Sequence, residues 1–307
     1  MIRVGTRASA LARAQADSVA QALRARGEDV EIVTMQTEGD RLLSARLAEV
    51  GGKGLFVREI EEALLAGTID VAVHSLKDLP AELPAGLELA AYPEREDPRD
   101  VLVSRAGGGL EALPDGARLG TSSPRRRALA LAVRADLKIE PVRGNVDMRL
   151  RKLAAGEYDA LMLAAAGLRR LGLTPEHAEP LPADVFVPAV GQGILGIEIR
   201  ADDARVGKLV RELDHADTRA AALAERAYLR RLGASCNTAV AAHAMIEGGG
   251  TTIRMDAVVA SEDGRRLLRD GATGVVEEAE DVGLWLAESI LAQGAATLTA
   301  LEPGRWR

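Results

Sequence analysis

Asp78 closes the run His74-Ser75-Leu76-Lys77-Asp78, which follows the apolar stretch 69–73 and is stopped by Pro80. An acid and an amine at the carboxyl end of a buried strand stand where open α/β sheets bind ligands. There a carboxyl group donates a proton or steadies a developing cation. A surface Lys–Asp pair would contribute little by comparison.

Two other places share one design. Thr6-Arg7-Ala8-Ser9 ends a strand, and Ser9 is a helix N-cap residue. In Gly120-Thr121-Ser122-Ser123-Pro124-Arg125-Arg126, Ser123 is the cap and Pro124 takes N1, where its missing N–H costs nothing. Free backbone N–H groups and the positive dipole end make such turns anion sites, and the adjacent hydroxyls and Arg strengthen them. Capping alone accounts for either turn. Their repetition with Arg, one in each α/β half, favours an anion-lined cleft between two domains. Arg143-Gly144-Asn145 repeats the design after a third strand, with Arg149 just over one turn into the next helix. Arg151 and Lys152 fit a solvated face better.

Cys236 is the sole cysteine and lies in the loop Gly233-Ala234-Ser235-Cys236-Asn237-Thr238. A lone cysteine is usually a small buried hydrophobe, but a loop of small residues also exposes a thiol for covalent work. One cysteine excludes an internal disulfide and a multi-cysteine zinc site. The four histidines have no ligand spacing, so no metal is expected. Gly191-Gln192-Gly193-Ile194-Leu195-Gly196 spells a dinucleotide fingerprint, yet proline-rich chain precedes it and a strand follows, the reverse of what that site needs. Gly51-Gly52-Lys53-Gly54 lacks the spacing of a phosphate-binding P-loop.

The elements that must position these residues alternate. Strand patterns fall at 2–5, 29–35 and 69–74, with helical patterns at 9–25 and 55–65. The charged segment 93–100, with Pro93 and Pro98, reads as a hinge. Beyond it come a strand end at 118–120, strands at 138–142 and 160–164, and helices at 124–134 and 146–155. A proline-rich crossing spans 180–190, and another strand lies at 194–199. An alanine-rich helix at 216–232, a three-strand meander (238–246, 252–261, 265–270) and a helix at 277–293 close the chain. The fold class is α/β: two domains with mainly parallel sheets and a small C-terminal α+β domain. The glycine- and charge-rich 39–54 segment reads as mobile.

The 307 residues are enough for two or three domains with full cores. No apolar run spans a membrane, no secretory leader is apparent, and the net charge of −7 argues against a nucleic-acid binder. A cytoplasmic protein is expected. Arginine numbers 34 against five lysines. Codon bias explains most of that, so only clustered Arg carries a functional reading.

Taken in order, these segments resemble the porphobilinogen deaminase (hydroxymethylbilane synthase) family of tetrapyrrole and heme biosynthesis. The matching stretches are Thr6 to Ser9, Gly51 to Val57, His74 to Pro80, Glu94 to Asp100, Gly120 to Arg126, Arg143 to Val146, Ala166 to Gly172, Pro188 to Gly193, and Ala224 to Arg226 leading to Cys236. Each is weak alone; the ordered set is specific and covers nearly the whole chain.

The resemblance implies two domains like periplasmic binding proteins, at 1–95 with 194–213 and at 96–193, and a third domain at 214–307 carrying the cofactor cysteine. It implies a transferase with a dipyrromethane cofactor joined to Cys236 by a thioether. Four porphobilinogen units add to that primer, releasing ammonia, and hydrolysis frees hydroxymethylbilane. Asp78 matches the catalytic acid, which assists loss of the amino group and stabilises the azafulvenium cation. Cofactor-binding positions are Cys236, Lys77, Asp78, Thr121, Ser122, Ser123, Arg125 and Arg126. Substrate-binding positions are Arg7, Ser9, Gln15, Lys53, Phe56, Arg143, Arg149, Arg170 and Gln192, with Arg170 favoured over Arg169. Each pyrrole brings an acetate and a propionate, which suits so many cations. A monomer without nucleic-acid or membrane partners is implied. Ala234-Ser235 stands where relatives often have Gly-Gly, and Pro124 where many have Leu. The other class considered is a non-catalytic anion receptor or sensor of the same fold.

Overall fold

The computed structural model describes residues 1–36, 57–235 and 237–301. The chain divides into two compact units, one of residues 1–96 and 194–219, the other of 97–193 and 220–307.

The first unit opens with β1 (Ile2–Arg7), α1 (Ala10–Arg24) and β2 (Val30–Met35). After it come α2 (Arg58–Leu65), β3 (Val71–Ser75) and β4 (Leu87–Ala91). Ala12, Gln15, Ala16, Val19, Ala20 and Leu23 recur at helical spacing and form the buried face of α1. Its Val19 and Leu23 pack on Ile2, Val4, Val71 and Val73 of the sheet. Burying each such side chain contributes roughly 1.5–3 kcal/mol.

The second unit begins with β5 (Asp100–Ser104), β6 (Arg118–Gly120), α3 (Pro124–Val133) and β7 (Lys138–Glu140). It continues with α4 (Val146–Ala154), β8 (Ala160–Ala164), α5 (Ala165–Arg170) and β9 (Ala178–Pro180). The chain then returns to the first unit as β10 (Leu195–Arg200) and α6 (Ala204–Arg211). The two five-stranded sheets have the same plan: β2-β1-β3-β10-β4 and β7-β6-β8-β5-β9. In each, four strands point one way. The next-to-last strand, β10 or β5, is antiparallel to both neighbours and is the first strand after the chain has crossed between units.

The chain ends with α7 (Ala216–Leu232), the meander β11 (Val240–Glu247), β12 (Thr252–Ala260) and β13 (Leu267–Val275), and α8 (Ala279–Ala292). Tyr228, Leu232, Ile253, Met255, Val259, Leu286 and Ile290 make its core. Gly283 lets α8 lie close to α7, since a Cβ there would stand 2.0 Å from the Ala224 carbonyl oxygen.

The expected α/β class with mainly parallel sheets and a small C-terminal part is what the structure has. Several bounds differ. The strand read at 138–142 stops at Glu140, and the one read at 265–270 runs on to Val275 to complete its pairing with β12. Strand β5 starts at Asp100, the last residue of the segment read as a hinge.

Candidate functional site

In the first unit β1 delivers Arg7 to its carboxyl end, and Ser9 caps α1 by accepting the Ala12 N–H at 3.3 Å. One turn on, the buried Gln15 donates through Nε2 to Ser75 Oγ at 2.8 Å. Strand β3 then passes into a tight 3-10 turn, Leu76–Asp78, whose Leu76 is buried and anchors it. This leaves Lys77 half-buried and Asp78 exposed. Arg7, Ser9, Gln15, His74, Ser75 and Asp78 line one pocket of about 60 Å³. The pocket therefore gathers four predicted residues. Lys77 belongs to the same turn but is not part of the lining. His74 and Ser75 line it too, although the sequence marked them only as part of a motif. Ser75 was findable as the last residue of an apolar strand.

In the second unit Ser123 caps α3, its Oγ accepting the Arg126 N–H at 3.4 Å. Thr121 Oγ1 accepts the Ser123 N–H at 3.2 Å, and Ser122 Oγ donates to the Val142 carbonyl at 2.8 Å. Arg125 and Arg126 point inward and are buried. Arg125 donates to both oxygens of Asp100, at 2.7 and 3.1 Å, and to the Val187 carbonyl at 2.8 Å. Arg126 donates through Nε (3.0 Å) and Nη2 (2.8 Å) to Asp100 Oδ1, and through Nη1 to the Met162 carbonyl (3.0 Å). Gln192 Nε2 joins them, 2.9 Å from Asp100 Oδ1 and 2.6 Å from the Pro98 carbonyl. Burial alone would raise the Asp100 carboxyl pKa, but the two guanidinium groups hold it well below the usual carboxylate range.

One carboxylate between two guanidinium groups leaves an excess of positive charge. Arg149 adds to it. Gly144, at φ +106°, makes the turn before α4, and Asn145 caps that helix by accepting the Met148 N–H at 2.9 Å. Arg149 Nε donates to the Gly144 carbonyl at 2.8 Å, and no carboxylate among the described residues pairs with it. Burial, then the nearby Arg126, lowers its pKa. A half-buried cation beside another cation, close to a capped helix start, suits an anion from outside. Groups bearing carboxylates fit this surface, and the acetate and propionate arms of a dipyrromethane are such groups.

Arg143 lies half-buried in the loop three residues past β7, not at the strand end that the sequence suggested. Arg170 donates through Nη2 to the Gly193 carbonyl at 2.6 Å, whereas Arg169 is exposed and paired with Asp97 at 3.2 Å. Lys53, Phe56, Cys236 and the 39–54 segment lie outside the described residues. Beside Cys236, Ser235 Oγ accepts the Asn237 N–H at 3.3 Å, and Thr238 Oγ1 donates to the Ser235 carbonyl at 2.6 Å. Sequence reasoning marked Glu225 only as part of the Ala224 to Arg226 stretch; it is fully buried and accepts the backbone N–H groups of Gly191 (2.6 Å) and Ala244 (2.8 Å). Among the described residues there is no metal-ligating cluster, and no helix is long and apolar enough to cross a membrane.

Comparison with known proteins accords with this chemistry. Residues 2–208 match the family described as "Porphobilinogen deaminase, dipyromethane cofactor binding domain", and residues 220–292 match "Porphobilinogen deaminase, C-terminal domain". The porphobilinogen deaminase of Desulforudis audaxviator is 52% identical over 299 residues, covering 97% of this chain and 96% of that one. That of Geobacter metallireducens is 49% identical over 301 residues, covering 97% and 94%. Among solved structures, a periplasmic substrate-binding protein of an ABC transporter from Coxiella burnetii is similar, with a TM-score of 0.45 and 20% identity. That likeness covers 69% of this chain and 92% of that one. Matched to both domains of one family and to relatives about half identical along almost its whole length, the chain belongs to the porphobilinogen deaminase family.

Proposed function

We propose that this protein is a transferase that joins four porphobilinogen molecules head to tail, releases ammonia at each addition and frees hydroxymethylbilane by hydrolysis. The observation that carries this reading is Asp78, an acid presented into one pocket with Arg7, Ser9 and Gln15. Dipyrromethane, attached to Cys236, supplies a nucleophilic pyrrole carbon when bound. The chain's own residues do the rest.

Arg7, Ser9 and Gln15 are donors, and they hold the carboxylate arms of the incoming porphobilinogen. Asp78 assists loss of the protonated amino group as ammonia, and its carboxylate then faces the azafulvenium cation and the pyrrole N–H groups. On the second unit Thr121, Ser122 and Ser123, with Arg126 and Arg149, take the carboxylates of the pyrrole chain. Arg125 contributes by sharing Asp100 with Arg126. Lys77, Arg143, Arg170 and Gln192 complete the cationic and polar contacts. Lys53 supplies a movable charge and Phe56 a ring to stack on a pyrrole. The reading includes a cytoplasmic monomer in three domains, at 1–95 with 194–213, 96–193 and 214–307.

The test is intact mass under denaturing, reducing conditions with peptide mapping. An addition equal to two porphobilinogen units less two ammonia molecules on the Cys236 peptide is expected. An unmodified Cys236 that stays unmodified after incubation with porphobilinogen would overturn the reading.

A further inference from the structure

His74 forms part of the first unit's pocket wall beside Asp78 and Ser75. It is 7% exposed, and its Nε2 lies 3.0 Å from Glu198 Oε2. Glu198, on β10, is fully buried. Glu61, on α2, is buried as well, and α2 packs against both β3 and β10. Glu61 Oε1 and Glu198 Oε1 have no hydrogen-bond partner among the described residues. Burial, then Glu198, pushes the Glu61 carboxyl pKa up, and His74 opposes this.

The ring's two nitrogens are distinct, and the bond made by one sets the state of the other. The assignment in which Glu198 accepts from Nε2–H puts the lone pair of a neutral ring on Nδ1, which has no hydrogen-bond partner among the described residues. The charged and titratable groups around His74 are Glu198 from β10, Glu61 from α2, Arg7 from β1 and Asp78 from the turn after β3. Helix α1 brings the uncharged Gln15. Arg7, Ser9 and Gln15 are donors, suited to carboxylates. Asp78 and His74 are the acceptors. A ligand with carboxylates at one end and a protonated primary amine at the other matches both sets.

We propose that His74 is a further substrate-contacting residue, its Nδ1 accepting a hydrogen bond from the protonated aminomethyl group, with Glu198 as the positioning residue that fixes the ring's tautomer. The identity of the amine rests on the porphobilinogen reading; the acceptor geometry does not.

Two variants separate the ring's nitrogens. His74→Asn places an oxygen near the Nδ1 position, while His74→Gln keeps a donor toward Glu198 and loses the acceptor at the Nδ1 position. With porphobilinogen as substrate, His74→Gln is expected to lower kcat/KM tenfold or more, mostly through KM, and His74→Asn to recover most of it. Equal kcat/KM in the two variants, or wild-type kcat/KM in His74→Gln, overturns the proposal, provided both carry the Cys236 adduct by mass. Should either variant fail to fold, nitrogen-15 NMR of the wild-type holoenzyme decides. With four histidines in the chain, the expected spectrum shows one ring with Nε2 protonated and Nδ1 bare. A His74 protonated on both nitrogens at neutral pH would make it a donor to carboxylates and sink the idea. A wild-type protein that neither carries the adduct nor forms a bilane condemns the porphobilinogen reading instead, and leaves the NMR result on tautomer standing.

Discussion

The Glu225 carboxylate accepts the backbone N–H of Gly191 at 2.6 Å, binding helix α7 to the turn that carries Gln192. Its other oxygen takes the N–H of Ala244 on β11. Cys236 lies between α7 and β11 in sequence, so one buried acid ties both flanks of the cysteine loop to the residue next to Gln192. Glu225→Ala leaves two buried N–H groups without an acceptor and is expected to cost about 3–5 kcal/mol. Glu225→Gln keeps one acceptor but turns an NH2 toward the other N–H, at a cost of about 1–3 kcal/mol. Urea unfolding measures both, and equal midpoints for wild type and Glu225→Ala would contradict the account.

Asp100 neutralises a buried Arg pair. Asp100→Ala strands both guanidinium groups, and a destabilisation of about 3–5 kcal/mol is expected. Asp100→Asn keeps the size but loses the charge, and should fall between. Thermal unfolding of the two variants against wild type is the check, with the order Ala, Asn, wild type in rising midpoint.

Acid should loosen the protein in a defined window. Asp70 accepts from Arg3 at 2.8 Å and from Arg200 at 3.2 Å. Burial raises its pKa, but the hydrogen bonds from Arg3 and Arg200 outweigh that and bring it down from 3.8 to about 2. A carboxyl whose folded pKa lies below its unfolded one stabilises the fold fully above the unfolded value. That stability is lost as pH falls through the folded value. Asp70 contributes about 1–2 kcal/mol on this basis, after allowance for solvent screening. Asp100 adds in the same direction. Stability from urea titration is expected to hold above about pH 5 and fall steadily from pH 4 to pH 2. In Asp70→Asn the fall should be shallower, and an unchanged slope would show that the ion pair does not set it.

Asp78 is exposed and supports little of the fold, so Asp78→Asn separates chemistry from stability. The variant is expected to fold normally, keep at least part of its Cys236-linked pyrrole by mass, and lose turnover by about 100-fold or more. Near-wild-type ammonia release would remove Asp78 from the mechanism.

Local chemistry was legible in the sequence and distant partnerships were not. Ser9, Ser123 and Pro124 act where the residues said they would, because a cap is decided within three positions of itself. Asp78 and Arg7 were placed correctly at strand ends by the apolar runs before them. The inward turn of Arg125 and Arg126 was invisible, since Asp100 is about 25 residues away and sat inside a stretch that looked like solvated linker. The His74–Glu198 pair spans the whole second sheet in sequence. Strands β4, β5 and β9 and helix α5, of three to six residues each, are too short for periodicity to declare them. The Gly191 to Gly196 run was rightly refused as a nucleotide motif, because the run is itself a turn that passes into β10 at Leu195, where that motif needs a helix.

The position of β10 bears on how the chain is made. Strand β4 joins its sheet through β10. Residue 195 leaves the ribosome about 100 residues after β4 is complete, a delay of roughly 5–20 s at ordinary synthesis rates. During that interval the nascent chain carries β3 with a bare edge and β4 without a neighbour, both apolar and open to wrong pairing. The second sheet contains all its strands before β10 appears, so it is free to close first. Synthesis order therefore runs against domain order: the part that begins earliest finishes late, and a nascent-chain chaperone has the most to protect in the first hundred residues.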